Sequence, residues 1–279
     1  LRLAATGLGR TMPNPSVGCV IVKEGRVIGA ARTADGGRPH AETQALAQAG
    51  EDAKGATVYT TLEPCAHYGQ TPPCAEALVA AGVAKVVIGA IDPDPRVASA
   101  GIRILRKAGI TVVTGVCEAE AHLQHRAFFK RLRHKMPHLS LKLATSLDGY
   151  ISHPSHTDRW VTGAEARRHV HLLRARHDAI LTGIGTVLAD DPLLNCRLPG
   201  MEEQSPIRIV LDTRLPCAIA HVDACCPHTD ESQGGAAQRV LPQLLERRGV
   251  TVLQGGAAPR WRTPLASNSW PLLLFFFCT

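Results

Sequence analysis

The sequence predicts two α/β domains in one chain, and three observations carry that expectation. Strand-like and helix-like runs alternate along most of the 279 residues. A heavily charged helical stretch over 118–134, closed by Pro137, separates two such alternations. The length suffices for two modest domains, and 45% hydrophobic content is ordinary for a globular chain. The domains are expected at 1–136 and 137–256, with 257–279 as a tail of different composition.

In the first alternation, apolar runs at 17–22 and 26–30 are joined by Lys23-Glu24-Gly25, a hairpin signal. The Ala-rich stretch 40–49 reads as a helix stopped by Gly50. A strand over 57–62 and a helix over 74–81 follow, with Pro72 and Pro73 where that helix begins. Next come a strand over 85–91, a helix over 101–108 and a strand over 111–115. Because each later crossover is a helix, the second part of this sheet should be parallel. The second alternation reads as a strand over 139–144, an Asp148-Gly149 turn, a helix over 164–176 and strands over 179–182 and 207–211. A helix over 236–248 and a strand over 250–254 complete it. Gly183 and Gly185 read as a small turn after a strand, followed by Asp190 and Asp191. Backbone amides at such turns can hold cofactor phosphates.

Composition narrows the function. The net charge is +7, but the basic residues are scattered or paired with acids, and aromatic residues make up only 4%. A nucleic-acid surface would concentrate its cations and interleave them with stacking aromatics, so that partner class is disfavoured. The balance suits phosphorylated small substrates and nucleotide cofactors. Nine cysteines, an odd number, argue for a reducing compartment over a disulfide framework. The opening Leu-Arg-Leu-Ala-Ala is too short and mixed for a signal peptide, and no run suffices to span a bilayer. The default is cytoplasm, without a membrane partner.

The chemistry concentrates in His40-Ala41-Glu42, then Glu63-Pro64-Cys65, then Cys74. His40, Cys65 and Cys74 are three good zinc ligands, and Glu42 is a carboxylate poorly suited to be a fourth. A structural zinc site is closed by four protein ligands, whereas a catalytic one keeps a position for water and uses a nearby acid to move protons. This spacing is the pattern of zinc-dependent base deaminases, with the Glu as proton shuttle. Hydrolytic removal of an amino group is the leading reading. His40 and Cys74 both open predicted helices, whose positive ends should favour a thiolate at Cys74. A closed structural site using His67 as fourth ligand competes, but it has no need of Glu42. A nucleic-acid base deaminase and a non-enzymatic zinc-bound module are the alternatives from other classes. Cys19, Cys117, Cys196 and Cys217 read as small hydrophobes.

The run over 61–74, Thr-Leu-Glu-Pro-Cys-Ala-His-Tyr-Gly-Gln-Thr-Pro-Pro-Cys, closely resembles the deaminase half of the bifunctional riboflavin-biosynthesis deaminase/reductase family. Pro13-Asn14-Pro15-Ser16-Val17-Gly18 and Asp92-Pro93-Asp94-Pro95 are similar to the same family, as are the stretches over 141–149 and 182–192. The resemblance implies a cytidine-deaminase-like α/β/α domain followed by a dihydrofolate-reductase-like α/β domain. It implies zinc-dependent deamination of 2,5-diamino-6-(5-phosphoribosylamino)pyrimidin-4-one to the matching uracil, then reduction of the ribosyl group to ribityl by NADPH. By the same resemblance, Zn2+ is held by His40, Cys65 and Cys74, Glu42 is catalytic, and Asn14, His67 and Gln70 bind substrate. In the second domain Lys142 and Asp190 are the catalytic candidates. Ala144, Trp160, Thr186, Asp190 and Thr213 would lie along the cofactor, and Asp158, Arg174, Leu194 and Arg197 along the substrate. Trp160 as plain core is the competing reading. Thr33 and Gln70 stand where some relatives carry His and Lys, and 153–158 replaces a smaller turn usual in relatives. A homo-oligomer is compatible with all of this.

After Gly256 the resemblance ends. Two of three Trp and three of five Phe fall in the remaining tail, which is expected to be an exposed, aggregation-prone apolar end. Leu1 in place of Met and this tail together suggest a chain truncated or frame-altered at its ends. The expectation is a chemically complete deaminase half and a compromised reductase half.

Overall fold

The structure is a computed structural model that describes residues 1–69, 71–94, 98–151, 160–212, 250–254 and 272–276. It divides into two compact units, the first spanning Leu1–His138 and the second beginning at Leu139.

The first unit contains helix α1 (Arg2–Ala5), strands β1 (Gly18–Lys23) and β2 (Arg26–Arg32), helix α2 (Ala41–Ala49) and strand β3 (Thr57–Leu62). It continues with α3 (Cys74–Ala80), β4 (Lys85–Ala90), α4 (Ala100–Lys107), β5 (Thr111–Thr114) and α5 (Glu118–His134). Its sheet runs β2-β1-β3-β4-β5. The first three strands are antiparallel neighbours, and β3, β4 and β5 are parallel, as their helical crossovers require. The β1–β2 hairpin turns on Glu24 and Gly25, both at positive φ (49° and 76°), which the two-residue turn demands. β4 is buried along nearly its full length, the mark of a parallel strand covered on both faces. The core beneath α2, α3 and α4 is built from Ile21, Val58, Leu78, Val86, Ile88 and Leu105. One close approach fixes α2 against β2: a Cβ at Gly29 would stand 2.3 Å from the Ala45 carbonyl oxygen. The start of α2, with His40 as its N-cap, lies beside the end of β3.

The second unit contains β6 (His138–Lys142), α6 (Ala164–Ala175), β7 (Ala179–Gly183), α7 (Ile184–Asp190), β8 (Ile207–Asp212), β9 (Val250–Gln254) and β10 (Leu272–Phe276). Its sheet order is β6-β10-β7-β8-β9, and β10, β7, β8 and β9 are parallel. Ile180, Ile209 and Val210 are buried in it.

Two expectations are corrected here. The turn read at Gly183 and Gly185 is instead the beginning of α7, with Gly183 as its N-cap. Ile184, Val187 and Leu188 lie at helical spacing, and a glycine near a helix start costs little because the first amides have no intrahelical partner in any case. The tail, read as an exposed apolar end, contributes β10, which pairs in parallel with β7 from Leu273↔Ala179 to Phe275↔Leu181. A continuous apolar run is what a central parallel strand requires, and periodicity alone does not separate that use from an exposed end. The helix read over 236–248 lies outside the described residues.

Candidate functional site

Three elements of the first unit converge on His40, Cys65 and Cys74. His40 is held in extended conformation as the N-cap of α2. Cys65 stands just beyond β3, and Cys74 is the first residue of α3, behind Pro73. His40 Nδ1 lies 3.6 Å from Cys65 Sγ and 3.4 Å from Cys74 Sγ, and the three donor atoms lie within 4.8 Å of one another. Two donors on one tetrahedral zinc, with ordinary Zn–N and Zn–S bonds, sit about 3.5 Å apart. The donor set therefore fits zinc in spacing and in kind. Among the described residues the cluster has these three members, and His67 is not one of them. His67 is exposed, so the closed four-ligand alternative lacks its fourth ligand.

Glu42 sits in the first turn of α2, 4% exposed, with Thr60 Oγ1 3.4 Å from its Oε1. Burial pushes its carboxyl above the usual carboxylate range, and the neighbouring Cys65 adds to the effect. The hydrogen bond to Cys65 raises His40. Hydrogen bonds with Cys74 and His40 bring the Cys65 thiol down to about 4. Cys74 is pushed well up, first by its bond to Cys65 and then by burial and Glu42. The backbone N–H of Cys74 donates to the Cys65 sulfur at 3.3 Å.

Around this centre, Asn14 donates through Nδ2 to Gly37 O at 2.8 Å. Gly37 has φ +87°, and a Cβ there would press on Asn14 and on the Thr11 carbonyl. Asp92 is raised by burial, with His67 acting in the opposite direction. Thr33 is fully buried, its hydroxyl donating to Pro15 O and accepting from Val17 N–H, so it braces the loop. Gln70 lies outside the described residues. Two residues escaped the sequence reading. Arg38 donates to Thr71 Oγ1 at 2.9 Å, and its place two positions before His40 was the available signal. Glu63, given no role of its own within Glu63-Pro64-Cys65, is almost wholly buried. Cys19 and Cys196 are buried as small hydrophobes, Cys117 is exposed, and Cys217 lies outside the described residues.

The second unit holds a cavity of about 500 Å³ lined by Lys142, Ala144, Trp160, Arg174, Asp190, Leu194 and Arg197, together with Arg167 and His171. Arg174 Nη1 donates to Asn195 O at 2.9 Å, and Arg197 Nη1 donates to Asn195 Oδ1 at 2.7 Å. His171 Nδ1 is 3.2 Å from Asn195 O and 3.2 Å from the Arg197 N–H. Burial lowers His171, and the charges of Arg174 and Arg197 lower it further. Leu194, which precedes Asn195, stands at φ 52°, a conformation that a bulky side chain seldom adopts. Trp160 is 54% exposed and carries the Arg167 guanidinium 4.7 Å from its ring centroid, so it is a wall of the cavity and not plain core. Thr186 is buried on α7 and does not line the cavity. Asp158 and Thr213 lie outside the described residues.

Comparison with known proteins places both units. Residues 1–90 match the zinc-binding region of cytidine and deoxycytidylate deaminases, and residues 137–232 match the RibD C-terminal domain. The RibD of Acinetobacter baumannii superposes with a TM-score of 0.77 at 41% identity, over 99% of this chain and 77% of that one. The chain belongs to the RibD family. The Thermotoga maritima diaminohydroxyphosphoribosylaminopyrimidine deaminase/5-amino-6-(5-phosphoribosylamino)uracil reductase gives a TM-score of 0.72 at 35% identity, over 91% of this chain and 78% of that one. The riboflavin biosynthesis protein RibD of Escherichia coli is 49% identical over 232 residues, and that of Aquifex aeolicus 46% over 220. This chain spans 63% and 62% of the lengths of those two curated relatives. RibD membership accounts for the fold of both units, a cytidine-deaminase-like domain followed by a dihydrofolate-reductase-like RibD C-terminal domain. No helix among the described residues is long and apolar enough to cross a membrane.

Proposed function

We propose that this chain carries out the hydrolytic deamination of 2,5-diamino-6-(5-phosphoribosylamino)pyrimidin-4-one to 5-amino-6-(5-phosphoribosylamino)uracil, with its second unit serving NADPH-dependent reduction of the ribosyl group to ribityl. The observation that carries this reading is the convergence of His40 Nδ1, Cys65 Sγ and Cys74 Sγ on one point beside the buried Glu42. Its place is riboflavin biosynthesis in the cytoplasm, with a deaminase domain over 1–136 and a reductase domain from 137.

His40, Cys65 and Cys74 would hold Zn2+, which would supply the Lewis acidity that makes water a nucleophile at neutral pH. Glu42 takes one proton from that water and gives it to the adjacent ring nitrogen, then carries the second proton, from the hydroxyl left on the ring carbon, to the amine, which departs as ammonia and leaves a carbonyl. Its burial keeps bulk water from competing for those protons. Asn14, His67 and Gln70 orient the pyrimidine and its ribose phosphate. In the second unit the arginines around the cavity hold the anionic parts of substrate and cofactor, and the exposed Trp160 face receives a flat ring. NADPH supplies the hydride when bound, and Lys142 and Asp190 polarise and orient the opened sugar that receives it.

The test is mass-spectrometric product analysis with the diaminopyrimidine ribotide, with and without NADPH. Replacement of an amino group by a carbonyl oxygen, without NADPH, is the expected first change, and a gain of two hydrogens that depends on NADPH is the second. Recovery of unchanged ribotide from zinc-loaded protein overturns the deaminase reading.

A further inference from the structure

The Glu63 carboxylate is 4% exposed and receives four backbone N–H groups from a segment about thirty or more positions away in sequence. Oε1 accepts from Gly101 at 3.0 Å and Ile102 at 3.3 Å, and Oε2 accepts from Ser99 at 3.1 Å and Asp92 at 3.3 Å. Three of these amides belong to the start of α4. The N-cap of that helix, Ser99, sits at φ 60° and makes no side-chain cap bond, so Glu63 caps the helix from the end of β3. A negative group at a helix start, holding amides that have no intrahelical partner, is favoured both by bonding and by the helix dipole.

The contact extends to the metal-ligand segment. A Cβ at Gly101 would stand 2.1 Å from the Pro64 carbonyl oxygen, so only glycine lets α4 close on the residue between Glu63 and Cys65. On the far side, Cys65 O accepts from Ala75 N–H at 3.1 Å and its sulfur accepts from Cys74 N–H. Cys65 is thus clamped between the start of α3 and the start of α4, and Glu63 is the fastener on the α4 side.

We propose that Glu63 is a positioning residue for the metal centre: through these four amides it fixes the backbone that presents the Cys65 sulfur. This rests on reading His40, Cys65 and Cys74 as zinc ligands. In Glu63→Gln the side-chain NH2 group must face backbone N–H donors, so the segment has to shift. Groups that orient a ligand from outside the coordination sphere typically govern metal affinity by about 10–100-fold.

The experiment is a zinc competition titration against a chromophoric chelator, run on the full chain as wild type and as Glu63→Gln. Thermal unfolding of the metal-free proteins and absorption spectra of their Co2+ forms accompany it. The expected result is a folded variant with a lowered thermal midpoint, zinc affinity at least about tenfold weaker, and displaced Co2+ bands. A lowered midpoint with unchanged affinity and bands makes Glu63 merely structural and overturns the proposal. If Glu63→Gln does not fold, Glu63→Asp keeps the charge and withdraws it by one methylene; weakened zinc binding is again expected, and wild-type affinity overturns the proposal. Failure of the wild type to bind zinc defeats the underlying site reading instead, so the two failures are distinct.

Discussion

The backbone N–H of Cys74 donates to the sulfur of Cys65 at 3.3 Å, so the helix that brings one ligand also directs the other. This bond comes from a backbone group that no substitution at position 74 other than proline removes. Cys74→Ala should therefore keep Cys65 in place while deleting a donor atom. We expect zinc affinity to fall by more than about a hundredfold, beyond what loss of a supporting group costs. Metal content after dialysis, read by atomic emission, checks this. A full zinc equivalent retained by Cys74→Ala would show that Cys74 is not a ligand.

Glu42 lies in the first turn of the helix capped by His40, buried and not needed to complete the donor set. Glu42→Gln preserves shape and removes the ability to accept and return a proton. The variant should bind zinc as the wild type does and release ammonia about 10²–10⁴ times more slowly. Parallel zinc analysis and a steady-state ammonia assay decide it. Near-normal turnover would remove Glu42 from proton transfer, and loss of zinc would make it a ligand.

How far the sequence foretold this molecule depends on the range of the interaction involved. Helix α5 matches the 118–134 expectation because its charge pattern and Pro137 are local signals. The hairpin, α2, β3 and the start of α3 were legible for the same reason, and with them the spacing of the metal cluster. What failed is long-range. Leu272–Phe276 reads as a stray apolar end until its partner β7 is known. Glu63 looks like a bystander to Pro64-Cys65, because its four bonds go to residues 92–102. The backbone bond from Cys74 N–H to the Cys65 sulfur likewise has no trace in spacing. In the second unit, the exposed face of Trp160 and the bracing of Asn195 by α6 are also products of packing.

Gly29 offers a test of how α2 is seated. A methyl group there would meet the Ala45 carbonyl oxygen at 2.3 Å, a backbone atom that cannot swing away. Gly29→Ala should push α2 off β2 and destabilise the first unit by about 1–3 kcal/mol, the usual range for overpacking. Because α2 carries Glu42 and is capped by His40, deamination should weaken along with stability. Denaturant unfolding monitored by circular dichroism gives the first number and ammonia release the second. An unchanged unfolding midpoint would mean that the helix rides freely on the sheet.

His125 on α5 is 2% exposed, with Nε2 3.1 Å from Thr61 Oγ1, which itself accepts from Gly18 N–H. Burial above all lowers it from an ordinary 6.5 to about 4. The folded chain therefore binds fewer protons at this site than the unfolded chain between those values. Stability is lost as pH falls from about 6.5 toward 4, to a total of about 3 kcal/mol. His125→Gln keeps a hydrogen-bonding group without that titration, so its stability should fall less steeply across the same window. Comparing the two proteins cancels the acid sensitivity of the zinc ligands. Parallel pH profiles of unfolding free energy would show that His125 does not titrate in this way.

Arg174 on α6 donates through Nη1 to Asn195 O while lining the second cavity with Arg167 and Arg197. A guanidinium can brace that carbonyl and still present further donors to an anion, whereas a lysine ammonium is a single point charge on a flexible stem. Arg174→Lys preserves charge, so a purely electrostatic role predicts little change. If the fork geometry matters, the loop bearing Leu194 relaxes from its φ of 52° and the substrate loses a bidentate partner. We expect the KM for the aminouracil ribotide to rise by about tenfold, the size of one well-placed hydrogen bond to a charged group, with the KM for NADPH moving little. NADPH oxidation followed at varied concentrations of each ligand separates the two. An equal rise in both constants would place Arg174 in general support of the cavity, and no rise in either would leave its bond to Asn195 without a part in substrate binding.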